Sequence, residues 1–242
     1  MISISASWTR RITFSMFLIA CLLIPVWIIN ATWQQFIVAY LVYWFLADFM
    51  QSLFLHRWAA HKLWSPPIWL QNVLTTLSAV SLVGTPISWA AWHRTHHAFA
   101  DTEKDPHSPK YKSIFYVVFL HHFHRVEIKR AIEMARNSYF AKVNKHQAIM
   151  ALSFASVLFL ILPWQWFLTV WVVPVASFAL LTNYTLNVLC HSNGIVKNKM
   201  WLWPLMFSEA LHKDHHDHPK LSYTKLDPAG QLIRLFGWDK IK

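Results

Sequence analysis

Residues 12–47 include no Asp, Glu, Lys, Arg or His, and this uncharged run constrains the fold more than any other feature of the chain. A helix crosses a bilayer with about 20 apolar residues, so the run is long enough for two spans. A polar break at residues 30–32 separates them, and a second uncharged run at residues 148–190 is interrupted at Pro163. The pattern predicts an all-α integral membrane protein with two hairpins of transmembrane helices, over residues 12–29, 33–55, 146–162 and 167–190.

The first apolar run follows Arg10 and Arg11, a pattern that also begins signal peptides. The run is longer than the usual apolar core of a signal peptide. Bulky residues such as Trp33 flank the polar break, where a cleavage site would need small residues. We therefore expect the first helix to be retained in the membrane.

Residues 68–88 are long enough to cross the membrane but contain several Ser, Thr, Asn and Gln side chains. If this segment crossed, the histidines before it and those after it would face opposite sides of the membrane and could not meet. We therefore predict an interfacial helix over residues 68–88. It belongs to a single domain of residues 1–242, whose cytoplasmic cap comprises residues 56–145 and 191–242.

Lys and Arg outnumber Asp and Glu by 22 to 11, which gives a formal net charge of +11. The basic residues lie in the loops that carry the histidines, whereas the opposite loops are short and uncharged. This asymmetry predicts that both termini are cytoplasmic. No basic helix with a base-reading face is present, so the charge favours anionic partners at a membrane over a nucleic acid. The two cysteines are too few for a disulfide framework.

Three clusters of histidine stand near the ends of the apolar runs: His56 and His61; His93, His96 and His97; and His212, His215 and His216. A random chain with this histidine content would contain roughly 0.06 copies of the H-x2-H-H motif that occurs here twice. Residues i, i+3 and i+4 share a helix face, so each such motif can aim three imidazoles at one place and bridge two metals. The first two histidines are about 140° apart on a helix of 3.6 residues per turn. They should ligate different metals or straddle a helix break.

His191 is a ninth candidate ligand, because it ends the last apolar run one turn after Asn187. A hydrogen-bonded helix end is the alternative interpretation of a lone histidine there. Imidazoles without cysteine disfavour structural zinc and iron–sulfur clusters, and eight or nine of them are too many for one tetrahedral ion. A site for two redox-active iron ions is the simplest interpretation, with the ions about 4 to 7 Å apart.

Several carboxylates close to the clusters could accept the outer ring N–H of these ligands. These candidates are Asp101, Asp105, Glu209, Asp214 and Asp217. The alternative interpretation is a solvated loop charge, which for Asp217 is at least as good. His107 follows Pro106 in a turn beside the second cluster, and it could support a ligand, contact the substrate or serve only in packing. We interpret the other histidines as structural: His121, His122, His124, His146 and His218.

The order of these motifs resembles the integral-membrane fatty acid desaturases, most closely their acyl-CoA delta-9 branch. Residues 101–107 read D-T-E-K-D-P-H where that family commonly has D-x-x-x-D-P-H. Residues 208–216 read S-E-A-L-H-K-D-H-H where the family usually has G-E-G-x-H-N-N-H-H. Asp227-Pro228 and residues 235–238 are similar to its closing amphipathic helix, so the resemblance covers most of the chain.

The resemblance implies a non-haem di-iron site held by the nine histidines, with Asn187 holding a water. Such a site uses O2 to introduce a cis double bond into a long saturated acyl chain, carried by CoA or a related carrier. The electrons would come from ferredoxin, or from cytochrome b5 with its reductase. The expected location is the bacterial inner membrane or the endoplasmic reticulum, with the site on the cytoplasmic side. The family's glycines before the first histidine are absent, which affects the shape of the substrate tunnel.

Two other functions would use similar residues. A membrane di-iron hydroxylase or ketolase has much the same ligands, although the H-x4-H spacing of the first cluster favours desaturation. A histidine-lined metal transporter would need ligands near the middle of the membrane. Here every cluster stands at or beyond a helix end, and Asp48 is the one acidic or basic residue predicted within the first hairpin.

Overall fold

The computed structural model describes residues 7–124, 126–220 and 225–237. Within these ranges the chain is helical and forms no β-strand. Trp238, which ends the C-terminal motif, and the side chain of His122 lie outside the described residues. We number the longer helices of the described part in chain order: α1 (Ser7–Asn30), α2 (Trp33–Ala60), α3 (Ile68–Val80), α4 (Pro86–Phe99), α5 (Ser138–Ile161), α6 (Trp164–Gly194), α7 (His212–Asp217) and α8 (Pro228–Leu235).

Short helical turns connect these helices. They lie at Tyr116–Leu120, His121–Phe123, Ile128–Ala131, Ile132–Ala135, Met200–Leu202, Trp203–Met206 and Phe207–Leu211. Most of them belong to the two segments that join or follow the membrane hairpins, where the histidine clusters also lie.

Four helices, α1, α2, α5 and α6, are long and apolar enough to cross a membrane. They confirm the predicted all-α membrane fold with four spans in two hairpins. The helices extend beyond the predicted spans, since α2 continues to Ala60 and α5 begins at Ser138. Hydropathy marks the part of a helix in hydrocarbon, whereas capping sets its end. At α5 the side chain of Asn137 caps the helix by accepting hydrogen bonds from two backbone N–H groups.

The helices that end in histidines form the inner pair of the bundle. Half of the apolar segment of α2 and of α6 is buried, compared with 17% for α1 and 22% for α5. The exposed side chains of the outer helices are largely apolar, as at Ile29 and Leu160. An apolar surface on a spanning helix is what contact with lipid requires.

The predicted helix over residues 68–88 is two helices in the structure. Helix α3 ends at Val80, and the chain turns through Leu82 and Gly84, both with positive φ, before Thr85 caps α4. Glycine tolerates such a φ without strain, so Gly84 favours the break. With 13 residues, α3 is about 20 Å long, shorter than the hydrocarbon core. It packs against α5, and its position in the membrane interface remains a prediction.

The second half of α2, Phe45–Ala60, is π-helical. In a π-helix each backbone N–H bonds to the carbonyl five residues earlier, as the His61 N–H does to the His56 oxygen at 3.1 Å. The end of α6 is also π-helical, at Asn183–Leu189, shortly before His191. These two segments, unlike the π-helical turn Leu168–Val172 earlier in α6, contain or closely precede candidate ligands.

Candidate metal centre

The nine candidate histidines come from four parts of the fold. His56 and His61 lie at the end of α2, the second cluster on α4, His191 in the last turn of α6, and the third cluster on α7. The structure brings them together in two groups, within each of which one nitrogen per ring lies within 4.8 Å of the others. The first group is His56, His61, His93, His97 and His215, and the second is His96, His191, His212 and His216.

Each H-x2-H-H motif is divided between the two groups. On α4, His93 and His97 belong to the first group and His96 to the second; on α7 the pattern is reversed, with His215 alone in the first group. Residues i and i+4 are about 40° apart around a helix, whereas i+3 is displaced about 60° to the other side of residue i. A helix lying between the groups can therefore supply both.

His56 and His61 belong to the same group, with ring centroids 4.9 Å apart. Of the two alternatives for this pair, a shared group favours the second, that they straddle a helix end, because α2 ends at Ala60 and His61 caps it. The angle of about 140° assumed 3.6 residues per turn. In the π-helical end of α2, residues five apart are joined by a hydrogen bond and so lie nearly one above the other.

The ring nitrogens within each group have the spacing of neighbouring ligands on one ion. His61 Nε2 lies 2.8 Å from His93 Nε2, and His191 Nε2 lies 2.9 Å from the Nε2 of His212. Two ligands at right angles, each about 2.1 Å from an ion, are about 3 Å apart. The donor set therefore fits one metal ion in each group.

Three carboxylates orient three of these rings. Oxygens of Glu209, Asp105 and Asp101 lie 2.7, 2.9 and 2.9 Å from the Nδ1 atoms of His56, His96 and His191, in that order. A carboxylate accepts the Nδ1–H and thereby leaves the Nε2 lone pair free. In all three rings that Nε2 faces the Nε2 of another histidine of the same group.

The protonation states of the rings outside the spanning segments suit metal binding. Burial, followed by the charge of neighbouring histidines, lowers the pKa of His61 to about 2 and that of His97 to about 3. The same causes lower the pKa of the other ligand candidates on α4 and α7 whose shift is resolved, His93, His212, His215 and His216. At neutral pH these imidazoles are uncharged, which is the form that binds a metal.

The carboxylates that orient the rings are ionised. Burial favours the neutral form of Glu209, but the adjacent His56 outweighs it and brings the pKa of Glu209 to about 2. Burial likewise opposes ionisation of Asp101 and Asp105, and hydrogen bonds to His191 and His96 keep both pKa values below the usual range. An ionised carboxylate at the outer ring nitrogen is the arrangement that orients a metal-binding imidazole.

Within the described residues, Asp214 is not hydrogen-bonded to any of the histidine rings. It lies exposed on α7, where its oxygen accepts a hydrogen bond from the Asn198 amide at 2.9 Å. It is two residues after His212, about 200° around the helix, and so faces away from the site. Glu209 reaches His56 instead, from the turn Phe207–Leu211, in which Phe207 has a φ of 48° that bulky residues rarely adopt.

His107 lies against the second group. Its ring stacks on that of His96 with centroids 4.4 Å apart, and its backbone N–H donates to Asp105 at 3.0 Å. Its own Nδ1 is buried without a hydrogen-bond partner in the described part of the chain. His121 and His124, which the sequence indicated to be structural, line the same cavity as His107.

A cavity of about 600 Å³ opens beside both groups. Its walls near the histidines include Glu209, His96 and Asn187. Asn187 therefore lies beside the site, although no hydrogen bond from its side chain to a candidate ligand is seen in the described residues. Further away the walls come from α1, α5, α6, the turn after α3 and residues 126–129. Most of the wall area is apolar, from residues such as Phe17, Val83 and Phe178, and polar side chains such as Arg10 and Gln147 also line it. The cavity thus connects the histidines to an apolar space within the bundle.

Sequence reasoning missed residues that hold the clusters in place. The Arg94 guanidinium donates to the carbonyls of Ala59 and Ala60 at the end of α2, and to the Glu133 carboxylate. The Trp89 ring stacks on His93 with centroids 4.7 Å apart. The one available signal was that an arginine follows the first histidine in both of the first two clusters.

Comparison with known proteins agrees with this architecture. The sequence profile of the family described as fatty acid desaturase matches residues 31–236 of the chain. Because this match covers most of the sequence, the chain belongs to the fatty acid desaturase family. It is therefore an oxidoreductase with a membrane-helical fold and histidine groups that could hold metals.

Among similar proteins, the Delta-9 acyl-lipid desaturase 2 of Arabidopsis thaliana is 28% identical over 231 residues, which cover 85% of this chain and 72% of that protein. The sn-2 palmitoyl-lipid 9-desaturase of Nostoc sp. (strain 36) is 25% identical, over 90% of this chain and 81% of its own length. The sn-1 stearoyl-lipid 9-desaturase of Anabaena variabilis is 24% identical, over 77% and 73%.

Proposed function

We propose that this protein is an O2-dependent di-iron desaturase that introduces a cis double bond into a long saturated acyl chain. The observation that carries the proposal is the pair of histidine groups, nine imidazoles in all, beside a largely apolar cavity of about 600 Å³. This volume is within the ~300–1,000 Å³ typical of ligand pockets. An acyl chain offers no polar handle at the reacting carbons, so the shape of the cavity must select the position of reaction.

Iron is the metal we propose, with His56, His61, His93, His97 and His215 holding one ion and His96, His191, His212 and His216 the other. When bound, the two ions would activate O2 and supply the oxidant for removing hydrogens from two adjacent methylenes. An all-imidazole donor set suits iron, and the absence of cysteine from both groups argues against a zinc or iron–sulfur structural site.

The residues of the chain have separate tasks in this proposal. Glu209, Asp101 and Asp105 hold the rings of His56, His191 and His96 in a fixed tautomer and orientation. Asn187 orients a water beside the second group. His107 packs against His96 and limits the movement of that ring from the cavity side.

The acyl chain is carried by a lipid, and the double bond forms at position 9. This part of the proposal rests on the named activities of the similar proteins, which are acyl-lipid 9-desaturases. Acyl-CoA is the other carrier that the motif pattern suggests. The membrane-facing apolar helices would allow a lipid to deliver its chain laterally, without leaving the bilayer.

The electrons come from a small acidic carrier such as ferredoxin or cytochrome b5. The net charge of +11 would steer such a partner to the face that carries the histidines. We assign this face to the cytoplasmic side of a bacterial inner membrane or the endoplasmic reticulum, following the distribution of Lys and Arg.

Lipid analysis of cells that express the chain tests the proposal. We expect a new monounsaturated fatty acid, whose double-bond position is read by mass spectrometry, in lipids rather than in the CoA pool. His146→Ala, an exposed histidine on α5, should make the same product, and His96→Ala should make none. A hydroxylated or oxidised acid in place of the alkene would show a hydroxylase or ketolase and contradict desaturation.

A further inference from the structure

The first histidine cluster is tied to the C-terminal helix by buried polar contacts. Arg57, next to His56, forms an ion pair with Asp227 at 2.7 Å between Nη1 and Oδ1. Their side chains are only 9% and 4% exposed. Asp227 also caps α8, because the same oxygen accepts the Gly230 backbone N–H at 3.0 Å. The start of α8 is therefore joined to α2 beside a candidate ligand.

A second contact joins α8 to the turn that holds Glu209. The Ser208 hydroxyl donates to Asp48 on α2 at 2.7 Å and accepts the Ala229 backbone N–H at 3.0 Å. The next residue, Glu209, accepts from Ser52 and contacts His56. These contacts close a circuit between α2, the turn and α8. We name it the α2–α8 network, comprising Asp48, Ser52, His56, Arg57, Ser208, Glu209, Asp227 and the N–H groups of Ala229 and Gly230.

We infer that Asp227 is a positioning residue for the first histidine group, and that the metal affinity of this group depends on α8. The inference rests on the proposed metal site. Within the α2–α8 network, two residues fix the position of His56. Arg57 is the next residue in the chain and is held by Asp227, and Glu209 contacts the outer ring nitrogen of His56. Both are held by the start of α8, directly or through Ser208. None of the contacts that join α8 to this network involves a ring of the second group.

The two histidine groups should therefore respond differently when the ion pair is changed. Loss of a contact that orients a ligand typically lowers metal affinity 10- to 100-fold. We expect Asp227→Asn to weaken metal binding about tenfold in the first group and to leave the second group unchanged. A general loss of folding would instead weaken both groups together.

The matched control is Asp217→Asn. Asp217 also pairs with a basic residue that follows a candidate ligand, since its partner Lys213 comes directly after His212. That pair is about half exposed, with 50% and 47% of the side chains accessible, so it should contribute little. The same chemical change is thus made in a buried and in an exposed carboxylate.

The experiment is a Co2+ titration of the full-length protein in detergent, followed by the visible absorption of the bound ion. His61→Ala identifies the phase that belongs to the first group. We expect the wild type and Asp217→Asn to bind two ions with the same affinities. Asp227→Asn should bind Co2+ about tenfold more weakly in the phase that belongs to the first histidine group, and with unchanged affinity in the other phase. Equal titrations of Asp227→Asn and the wild type would overturn the inference and leave the metal site intact. A wild type that bound no Co2+ would instead contradict the proposed function.

A double variant separates positioning from stability. Removing one partner of a buried ion pair leaves an unpaired charge, whereas removing both is often neutral for stability. The double variant Arg57→Gln/Asp227→Asn should therefore recover the thermal stability lost in Asp227→Asn. Its Co2+ affinity in the first histidine group should stay as low as in Asp227→Asn. Because the double variant avoids the unpaired charge, it also serves if Asp227→Asn does not fold. Wild-type Co2+ affinity in the double variant would overturn the inference.

Discussion

The two histidine groups differ in the number of their rings and in how the rings are held. The first has five imidazoles, and the one carboxylate contact described for it joins Glu209 to His56. The second has four imidazoles, two of which are oriented by Asp101 and Asp105 from a single loop. The first group thus has more rings, and the second has more rings that a carboxylate orients.

This difference suggests separate roles for the two groups. If each group holds one ion as proposed, five rings would nearly complete the coordination of that ion and leave little room for another ligand. Four rings leave more room, and Asn187 lies one turn before His191 beside the same cavity. The second group should therefore be the more sensitive to loss of a ring, and the following predictions test that comparison.

The largest effect is expected when a single ring is removed from one group or the other, and α4 carries neighbouring rings of both groups. His96→Ala leaves three rings in the second group, and His97→Ala leaves four in the first. We expect both variants to lose at least about 100-fold in activity, more than a supporting contact would contribute. Iron analysis should find the second-group ion lost in His96→Ala and the first-group ion partly retained in His97→Ala. Full activity of His96→Ala would refute the ligand assignment.

The next prediction separates metal binding, measured as iron content, from catalysis, measured as turnover. Asn187→Ala should lower turnover by up to about 100-fold but keep most of the iron, because an amide that orients a water supports the metal indirectly. His191→Ala, one turn later, should lose iron from the second group. Iron content and turnover of the two purified variants are compared. Unchanged turnover in Asn187→Ala would mean that Asn187 serves only in helix packing.

A smaller effect should follow from changing the carboxylates that orient the rings. Asp101→Asn and Glu209→Gln each remove a charged acceptor of an Nδ1–H, and we expect about tenfold weaker iron binding in the group concerned. The effect of Asp101→Asn should appear in the second group and that of Glu209→Gln in the first. Equal loss from both groups in either variant would show that the groups are not supported independently.

The smallest effect is expected for Asp214→Asn. Its side chain is exposed and contacts Asn198 rather than a histidine ring, so activity and iron content should stay within about twofold of the wild type. Asp101→Asn is the comparison, since both residues were equal candidates from their positions near a cluster. A loss as large as that of Asp101→Asn would contradict the geometry of α7.

Local pattern was enough to predict much of this protein. The uncharged runs predicted four spans, because a helix in hydrocarbon needs apolar side chains along its whole length. The repeated H-x2-H-H spacing and the position of His191 identified the histidines that the structure brings together. These inferences depend on periodicity within a single helix and on the free-energy cost of placing charge in lipid. Both can be judged from the order of the residues alone.

Contacts between distant parts of the chain could be decided only by the tertiary structure. His56 and His61 share a group because the end of α2 is π-helical. This end of α2 packs against α4, and Arg94 of α4 donates hydrogen bonds to the last carbonyls of α2. Asp101 contacts His191 across 90 positions, whereas Asp214 among the histidines contacts none of their rings in the described structure. Nearness in sequence does not determine which side of a turn faces the site. That depends on how the helices pack, and packing is a property of the whole chain.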